Sequence, residues 1–478
     1  MNLKNMLVGR ELSQAKPKIK KIFFYRICGT GMGACACLAK EAGFEVAGAD
    51  TTFSPPMSTY LESVNIPLRK LELLTREELK EYDLIVVGNS VPRQSEFARF
   101  VEETGVPFTS FPSFLGEFIL QDKEVIGLAG THGKTTTTYF LSQMLEALGE
   151  DTGYFIGGII DGRPPSRLGT SKYFVIESDE YDSAYFQKIS KFRLYELNHM
   201  VLTSLEFDHA DIFNSIEDIK NEFKPTLASL SGTVIANDGF GAITDLSETF
   251  KDLDWTFYGE GSAAGPVKIE SINGRSHFSL KLGNSYVDFD TNIVGLHNIL
   301  NISSCILMLD RLGFNTVELQ SSVMNLEMVK RRQEHRGYFQ KAVVIDDFAH
   351  HPRAISLTVD AIKTKYPDKE IITIFEPVSA TARSSIFQNE FLASLTSSNK
   401  VLIAKNALQT TVEDKENLDT TLLVEELTKQ GIAAQSVNTL DELMKYIKLW
   451  ANERSVLLVL SNRTCLGLWE SDFVKQLS

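Results

Sequence analysis

The chain has 478 residues, of which 43% are hydrophobic and 23% are charged, and its formal net charge is −14. A chain of this length predicts about three domains of roughly 150 residues each. The negative charge argues against nucleic acid as a partner, because nucleic acid is bound through basic surfaces. No apolar run approaches the ~20 residues that cross a bilayer, so no membrane association is expected.

Residues 1–20 contain no sustained apolar stretch and do not have the pattern of a secretory signal. We interpret them as a short extension, either flexible or docked. The five cysteines are too few and too scattered for a disulfide framework, so we expect small buried side chains in a reducing cytoplasm. These cysteines are Cys28, Cys35, Cys37, Cys305 and Cys465.

Apolar strand-like segments alternate with helical segments along the chain, which predicts an α/β fold with mainly parallel sheets. The first set predicts a Rossmann-like domain over 21–121, with a small-residue helix from about Met32 to Ala42. Its strands are expected at 21–27, 44–50, 83–88 and 106–111.

Two further sets of strands predict a central domain over 122–327 and a C-terminal Rossmann-like domain over 328–478. The stretch from about Trp255 to Thr291 alternates polar and apolar residues, so antiparallel strands are expected there, followed by a helix from Asn298. The central strands are expected at 124–130, 172–177, 199–205 and 232–238, and the C-terminal ones at 341–348, 370–377, 400–405 and 455–461.

A glycine-rich turn, ICGTGMG, follows the first strand and opens a helix. Gly29, Gly31 and Gly33 would let the backbone approach a diphosphate at the helix N-terminus. Asp50 ends the next strand, at the distance expected for a contact with a ribose hydroxyl. The spacing is G-x-G-x-G and not G-x-G-x-x-G, which leaves a dinucleotide, another nucleoside diphosphate and a purely structural turn open.

A second glycine loop, GLAGTHGKTTTT (127–138), lies between an apolar strand and a helix that we expect to begin near Thr135. Its glycines are spaced by three residues, and Leu128 stands where the general phosphate loop has glycine. Lys134 can neutralise the β- and γ-phosphates of a nucleotide, and the Thr135 hydroxyl can bind Mg²⁺. The alternative is a surface turn before a helix. The predicted nucleotide contacts are Gly130, Thr131, His132, Gly133, Lys134, Thr135 and Thr136.

Acidic residues follow the next two strands. Glu177 stands at the end of an apolar strand, and Asp208 and His209 come just past the following one. The carboxyl ends of parallel strands meet at one edge, so Glu177 and His209 could hold a second metal ion beside the phosphate loop. A solvated acidic turn is the alternative for the 177–182 run. Together these residues predict phosphoryl transfer, with Lys134, Glu177 and His209 as the catalytic residues.

These motifs resemble the Mur ligase family, in which G-T-H-G-K-T-T-T is the usual form of the phosphate loop. The resemblance extends from Cys28 to about Ser461 and includes VGLHNILN (294–301), KRRQ (330–333) and DDFAHHP (346–352). It implies an ATP-dependent enzyme that forms a carbon–nitrogen bond through an acyl-phosphate, with Mg²⁺. It places Asn298 and Asn301 at adenine-side or structural positions, and it places Arg332, Asp347 and His350 near the nucleotide.

The resemblance also implies that the first domain binds a UDP-sugar and not NAD. The residues implied in that site are Gly29, Thr30, Gly31, Met32, Gly33, Asp50, Asn89 and Ser90.

Within the family, FVIESDEYDSAYFQKISKF (174–192) resembles the branch that joins UDP-N-acetylmuramate to L-alanyl-γ-D-glutamyl-meso-diaminopimelate in peptidoglycan recycling. The alternative is the branch that adds L-alanine, which has a shorter run here. Val378 and Ala380 stand where the first branch has arginine and asparagine, and SNRTCLGL (461–468) also departs from its pattern. These departures leave the amine substrate open.

Proteins of three other classes are the alternatives. A phosphate-loop switch or motor gives no role to the first glycine loop, and a nicotinamide oxidoreductase leaves Lys134, Glu177 and His209 unexplained. A degenerate ligase that senses cell-wall nucleotides fits the altered C-terminal stretches.

Overall fold

The computed structural model describes residues 2–158, 160, 162–272, 274–405 and 416–478. The chain divides into two compact units, which are described separately. The first consists of Met1–Glu206, Glu217–Gly265 and Ile302–Ser322, and the second of Phe207–Ile216, Pro266–Asn301 and Val323–Ser478. The domain boundaries expected at 121/122 and 327/328 stay a prediction.

The first unit begins with a five-stranded, fully parallel sheet in the order β3-β2-β1-β4-β5. Its strands are β1 (Lys21–Tyr25), β2 (Glu45–Asp50), β3 (Leu68–Lys70), β4 (Leu84–Val87) and β5 (Phe108–Ser110). The helices of this region are α1 (Arg10–Ala15), α2 (Thr30–Glu41), α3 (Met57–Ser63), α4 (Arg76–Leu79), α5 (Glu96–Glu102) and α6 (Phe111–Phe114). The strand that the sequence did not indicate, β3, is short and largely exposed.

The N-terminal extension is docked on the edge of this sheet. The Leu7 amide donates to the Phe108 carbonyl at 2.8 Å, and the Phe108 amide donates to the Asn5 carbonyl at 3.0 Å. Leu12 in α1 is buried. The extension therefore continues the hydrogen bonding of β5.

A second sheet of the first unit has seven strands in the order β14-β13-β12-β6-β9-β7-β8, all parallel except the pair β7–β8. The strands here, together with the separate hairpin β10–β11, are β6 (Glu124–Ala129), β7 (Gly153–Phe155), β8 (Ser166–Arg167), β9 (Tyr173–Ser178), β10 (Asp182–Ala184), β11 (Gln187–Ser190), β12 (His199–Leu202), β13 (Thr233–Asn237) and β14 (Asp254–Tyr258). The accompanying helices are α7 (Lys134–Ala147), α8 (Ile216–Ser229), α9 (Gly241–Thr249), α10 (Leu296–Arg311) and α11 (Thr316–Ser322), of which α8 and α10 begin in the second unit.

The antiparallel prediction for the stretch from Trp255 was wrong at its start. Trp255 lies in β14, which pairs in parallel with β13 through the Val234–Trp255 position. The antiparallel strands begin later, at Val267. β14 is the edge strand of its sheet and is mostly half-exposed, so it lacks the continuous apolar run that marks a buried parallel strand.

The second unit contains a three-stranded antiparallel sheet and a six-stranded sheet in the order β18-β19-β23-β20-β21-β22, parallel except for β18–β19. The strands are β15 (Val267–Ile272), β16 (Arg275–Leu282), β17 (Ser285–Thr291), β18 (Glu334–Phe339), β19 (Ala342–Asp347), β20 (Glu370–Glu376), β21 (Lys400–Ala404), β22 (Ala433–Val437) and β23 (Ser455–Ser461). The helices packed on the larger sheet are α12 (Pro352–Lys365), α13 (Gln388–Leu395), α14 (Thr420–Lys429) and α15 (Leu440–Trp450).

Short helical turns complete the described chain. One π-helical turn covers Leu115–Leu120. The 3₁₀ turns are Lys16–Lys18, Leu71–Leu73, Lys191–Leu194, Ser385–Phe387, Leu468–Glu470 and Val474–Gln476.

The predicted α/β class with mainly parallel sheets is confirmed. All five cysteines are free, and four of them are buried, as expected for small core side chains. Among the described residues, none of the helices combines the length and the apolar character needed to cross a membrane.

Gly116 offers a direct test of the packing in the first unit. A Cβ atom at this position would lie 1.9 Å from the Leu194 carbonyl oxygen, which belongs to the backbone and cannot rotate away. Gly116→Ala is expected to lower the free energy of unfolding by about 2 kcal/mol or more. Denaturant unfolding measures this change.

Gly241→Ala is the matched control. Gly241 is the first residue of α9, and a Cβ there meets no atom within 4 Å. The control is expected to stay within about 0.5 kcal/mol of the parent. Equal stability of the two variants would contradict the packing described here.

Candidate active site

The second glycine loop lies between β6 and α7, and the helix begins at Lys134, one residue earlier than expected. Gly130 has φ +132° and Gly133 has φ +84°, conformations that residues with a Cβ rarely adopt. A Cβ at Gly130 would also lie 2.5 Å from the Ser204 carbonyl oxygen. Leu128, at the position of the usual glycine, is fully buried in β6. The loop therefore needs glycine where it bends and tolerates leucine where it is still strand.

Thr131 and His132 tie the loop to the segment after β12. The Thr131 amide donates to the Ser204 carbonyl at 3.2 Å, and the His132 amide donates to Ser204 Oγ at 2.8 Å. His132 Nε2 lies 3.1 Å from Glu206 Oε2. These contacts fix the loop backbone at the edge of the sheet.

Lys134 is buried against two carboxylates. Its Nζ donates to Glu180 Oε2 at 2.8 Å and lies 3.7 Å from Asp179 Oδ1. Burial alone would lower the pKa of Lys134, but Glu180 and Asp179 outweigh it and raise that pKa above its usual value. The side chain is therefore a permanent cation at the start of α7. The solvated-turn alternative does not hold for Glu180, which is only 3% exposed.

Glu177 and Thr135 are brought together by the pairing of β9 with β6. Thr135 Oγ1 donates to Glu177 Oε1 at 3.0 Å, and the Gly157 amide donates to Glu177 Oε2 at 2.8 Å. Burial raises the pKa of Glu177, and the charge of Lys134 opposes that rise. Hydroxyl and carboxylate oxygens are ligands that Mg²⁺ accepts. Nothing in the sequence around Gly157 indicated its contact, since it follows a three-residue strand.

The first glycine loop packs closely against its surroundings. A Cβ at Gly33 would lie 2.2 Å from Met57 Sδ, and one at Gly31 would lie 3.4 Å from the Phe111 ring. Met32 is buried, whereas Gly29 and Thr30 are exposed at the start of α2. The exposed part of the loop is thus the helix N-terminus, where anions bind.

Asp50 is engaged with the backbone of the loop itself. Its Oδ2 accepts a hydrogen bond from the Cys28 amide at 2.9 Å, and its Oδ1 accepts one from the Thr51 amide at 2.8 Å. Arg26 Nε lies 3.6 Å from Oδ1. In this structure Asp50 fixes the turn, and a ribose contact stays a prediction.

Asn89 and Ser90 are exposed just past β4. Asn89 Nδ2 donates to the Asp182 carbonyl at 3.4 Å, so the tip of the first sheet contacts the β10–β11 hairpin.

In the second unit, Arg332, Asp347 and His350 surround Phe348. The guanidinium of Arg332 lies 4.9 Å from the centroid of the Phe348 ring, and His350 Nδ1 lies 3.1 Å from the Phe348 carbonyl oxygen. Asp347 accepts hydrogen bonds from the amides of Gln333 at 2.8 Å and Ala349 at 2.7 Å. Burial raises the pKa of Asp347, and Arg332 opposes that rise.

His209 lies in the second unit beside Asp208. The His209 amide donates to Asp208 Oδ1 at 2.7 Å, and His209 has φ +53°. Burial favours the neutral acid, but His209, His350 and His351 together hold the pKa of Asp208 below its usual value. Two of these histidines, His350 and His351, belong to the DDFAHHP motif. That motif was identified from the sequence, but its position near Asp208 was not predicted.

Asn298 is 2% exposed, and its Nδ2 donates to the Val294 carbonyl at 3.0 Å. This bond closes the turn before α10, which begins at Leu296, two residues earlier than expected. The structure therefore gives Asn298 a structural contact.

Three family models match the chain. They are the Mur ligase family catalytic domain over residues 21–123, the Mur ligase middle domain over 128–309 and the Mur ligase glutamate ligase domain over 331–463.

Curated and solved relatives agree with these matches. A UDP-N-acetylmuramate–L-alanyl-γ-D-glutamyl-meso-2,6-diaminoheptandioate ligase of Haemophilus influenzae is 34% identical over 389 residues, which cover 79% of this chain and 84% of that protein. A UDP-N-acetylmuramate–L-alanine ligase of Lactococcus lactis is 31% identical, with 81% and 83% covered. The crystal structure of a murein peptide ligase from Psychrobacter arcticus is similar with a TM-score of 0.69 at 29% identity, covering 94% of this chain and 97% of that one.

The chain belongs to the Mur ligase family. Members of this family are ATP-dependent ligases that form a carbon–nitrogen bond, so the predicted enzyme class is confirmed. The residue-level roles assigned from the sequence stay predictions.

His297, in the VGLHNILN motif, generates a pH prediction for the second unit. Burial, and secondarily Arg332, lowers the pKa of His297 to about 4. Its Nε2 lies 3.0 Å from Gln333 Nε2, so the neutral ring accepts a hydrogen bond from that amide. Because the unfolded chain binds this proton near pH 6.5, the stabilisation is present above that pH and is lost as the pH falls towards 4, by about 2–3 kcal/mol.

His297→Gln is expected to remove this dependence. The measurement is denaturant unfolding of the parent and the variant between pH 4 and pH 7, because the difference between the two cancels the titration of other groups such as Asp346. Parallel pH profiles of the two proteins would contradict the neutral, buried histidine.

Proposed function

We propose that this enzyme joins the carboxylate of UDP-N-acetylmuramate to the amine of L-alanyl-γ-D-glutamyl-meso-diaminopimelate, with cleavage of ATP, in peptidoglycan recycling. The observation that carries the proposal is the convergence of Lys134, Thr135 and Glu177 at one edge of the seven-stranded sheet. The relatives of 34% identity named for this reaction support the choice of substrates. A cytoplasmic location belongs to the proposal, since ATP and UDP-sugars are supplied there.

The reaction proceeds in two displacements. A carboxylate oxygen of the muramate attacks the γ-phosphorus, so that an oxygen–phosphorus bond forms while the bond to the bridging oxygen of ADP breaks. The ammonium of Lys134 stabilises the charge that develops on the transferred group. The uncharged amine then attacks the acyl carbon, the carbon–nitrogen bond forms, inorganic phosphate leaves and the amine proton passes to solvent.

Thr135 would hold one Mg²⁺ ion and Glu177 a second, because each presents a hard oxygen donor next to the phosphate loop. His209 is proposed as a further ligand of the second ion on the strength of the family resemblance. The two ions would neutralise the charge of the triphosphate. Arg332, Asp347 and His350 are proposed to contact the nucleoside, and the exposed start of α2 the diphosphate of the UDP-sugar.

L-Alanine is the second candidate amine. Relatives named for it reach 31% identity, and Val378 and Ala380 do not carry the polar groups expected of the tripeptide branch. Val378 is 3% exposed, so its side chain packs in the core of the second unit.

Phosphate release with a panel of amines tests the proposal. Purified enzyme with ATP, Mg²⁺ and UDP-N-acetylmuramate is expected to release phosphate with the tripeptide present and to form the amide product, with little release for L-alanine. Release with L-alanine alone would establish the second candidate. Nucleotide cleavage without any amide product would contradict the ligase proposal.

Lys134→Ala tests the phosphate loop. Loss of a buried cation beside the transferred phosphoryl group is expected to lower kcat by at least about 100-fold. Lys172→Ala is the control, since Lys172 is 63% exposed and pairs with Glu124 at the other end of the sheet. Near-parent turnover by Lys134→Ala would show that the loop has been assigned wrongly.

A further inference from the structure

The segment after Glu177 forms a hairpin that the proposed roles leave unused. It runs from Asp179 through the antiparallel pair β10–β11 to the short turn at Lys191–Leu194. In the sequence analysis this stretch distinguishes the tripeptide branch from the alanine-adding branch, in which it is shorter. No function was predicted for it.

The tip of the hairpin is fixed to the first sheet. Gln187 Oε1 accepts hydrogen bonds from Ser110 Oγ at 2.6 Å and from Ser113 Oγ at 3.1 Å. The Phe186 ring packs edge-on against Phe108, with ring centroids 5.2 Å apart. These contacts fix the position of the hairpin relative to the end of β5.

The base of the hairpin carries Lys191 towards the phosphate loop. Ser190, the residue before it, is anchored on both sides: its Oγ donates to the Glu180 carbonyl at 2.6 Å and its amide donates to Glu222 Oε2 at 3.0 Å. The Lys191 ammonium pairs with the Asp179 carboxylate and lies 5.7 Å from the centroid of the Tyr181 ring. Its side chain is only 13% exposed.

One carboxylate thus lies between two ammonium groups whose side chains are mostly shielded from solvent. Asp179 Oδ1 faces Lys134 Nζ, and Oδ2 faces Lys191 Nζ. Lys134 belongs to the proposed phosphate loop at the start of α7, whereas Lys191 comes from the hairpin and pairs with the other oxygen of Asp179. A terminal phosphoryl group, with three peripheral oxygens, can accept hydrogen bonds from both cations where a single carboxylate now does.

We propose that Lys191 is a second cationic contact of the transferred phosphoryl group, delivered by the β10–β11 hairpin, and that Asp179 bridges the two lysines until the triphosphate takes its place. This inference rests on the proposed function and deepens it. The Lys191 ammonium donates hydrogen bonds to the γ-phosphate oxygens. The bonds formed and broken are those of the first displacement.

A purely structural Lys191 would have different consequences. In that case Lys191 would only pair with the Asp179 charge and stabilise the fold. Loss of the Lys191–Asp179 ion pair would then weaken the binding of ADP and ATP equally. A contact to the γ-phosphate acts only on ligands that have one. The selectivity for triphosphate over diphosphate therefore separates the two roles.

The experiment compares Lys191→Met with Lys188→Met. Lys188 lies on the same hairpin, is 56% exposed and pairs with Asp182, so its loss removes one charge from the same element away from Lys134. Affinities for ADP and for a non-hydrolysable β,γ-imido analogue of ATP are measured by calorimetry with Mg²⁺. Lys191→Met is expected to weaken the triphosphate analogue at least about 10-fold and ADP less than about 3-fold. The Lys188 variant is expected to bind both ligands as the parent does.

Equal weakening of both nucleotides, or a lower melting temperature with unchanged selectivity, would overturn the inference. If Lys191→Met does not fold, Lys191→Arg decides: the retained charge with altered geometry is expected to lower kcat while largely preserving triphosphate affinity, and an unchanged kcat would overturn the inference. The binding assay contains no sugar or amine. A parent enzyme that selects triphosphate through Lys191 yet makes no amide would therefore refute only the proposed function.

Discussion

A buried lysine, Lys134, is kept charged by two carboxylates at the start of α7, and the rest of the site in the first unit depends on this arrangement. A cation removed from water is costly unless it is paired, so Glu180 and Asp179 must come close to it. The pairing of β9 with β6, just before these two acids, also brings Glu177 beside the Thr135 hydroxyl. The Lys134 charge, the proposed metal ligand Glu177 and the helix N-terminus thereby lie at one edge of a mainly parallel sheet, where open α/β folds bind their ligands.

The two glycine loops use the same backbone device for different purposes. In the first, the Asp50 carboxylate accepts hydrogen bonds from the Cys28 amide of the loop and from the adjacent Thr51 amide, and the exposed helix start is the proposed binding feature. In the second, the loop amides donate to Ser204, and Glu177 and Lys134 are the residues proposed to act in catalysis. A loop stabilised by its own acid is suited to holding a diphosphate in place. One that keeps its acid and its lysine at the open edge is suited to transferring a phosphoryl group.

The sequence predicted those features that depend on short stretches of the chain. The apolar strands, the glycine bends and the position of Glu177 at the same sheet edge as the phosphate loop follow from strand order and spacing. The burial of Glu180 did not, because an acidic run looks solvated until a lysine 46 residues earlier is packed against it. The parallel pairing of the strand that contains Trp255 was also missed, because it depends on a distant part of the chain. Alternation in a sequence indicates exposure, but only the partner strand determines whether the pairing is parallel or antiparallel.

The central claim is that the carboxylate of the sugar acid is activated as a mixed anhydride with phosphate. It is tested most directly by preparing UDP-N-acetylmuramate with ¹⁸O in that carboxylate and following the label through turnover by mass spectrometry. The account predicts that each inorganic phosphate released carries one ¹⁸O atom, because the bond broken by the amine joins carbon to the carboxylate oxygen. Phosphate that contains only unlabelled oxygen, formed together with the amide, would contradict it.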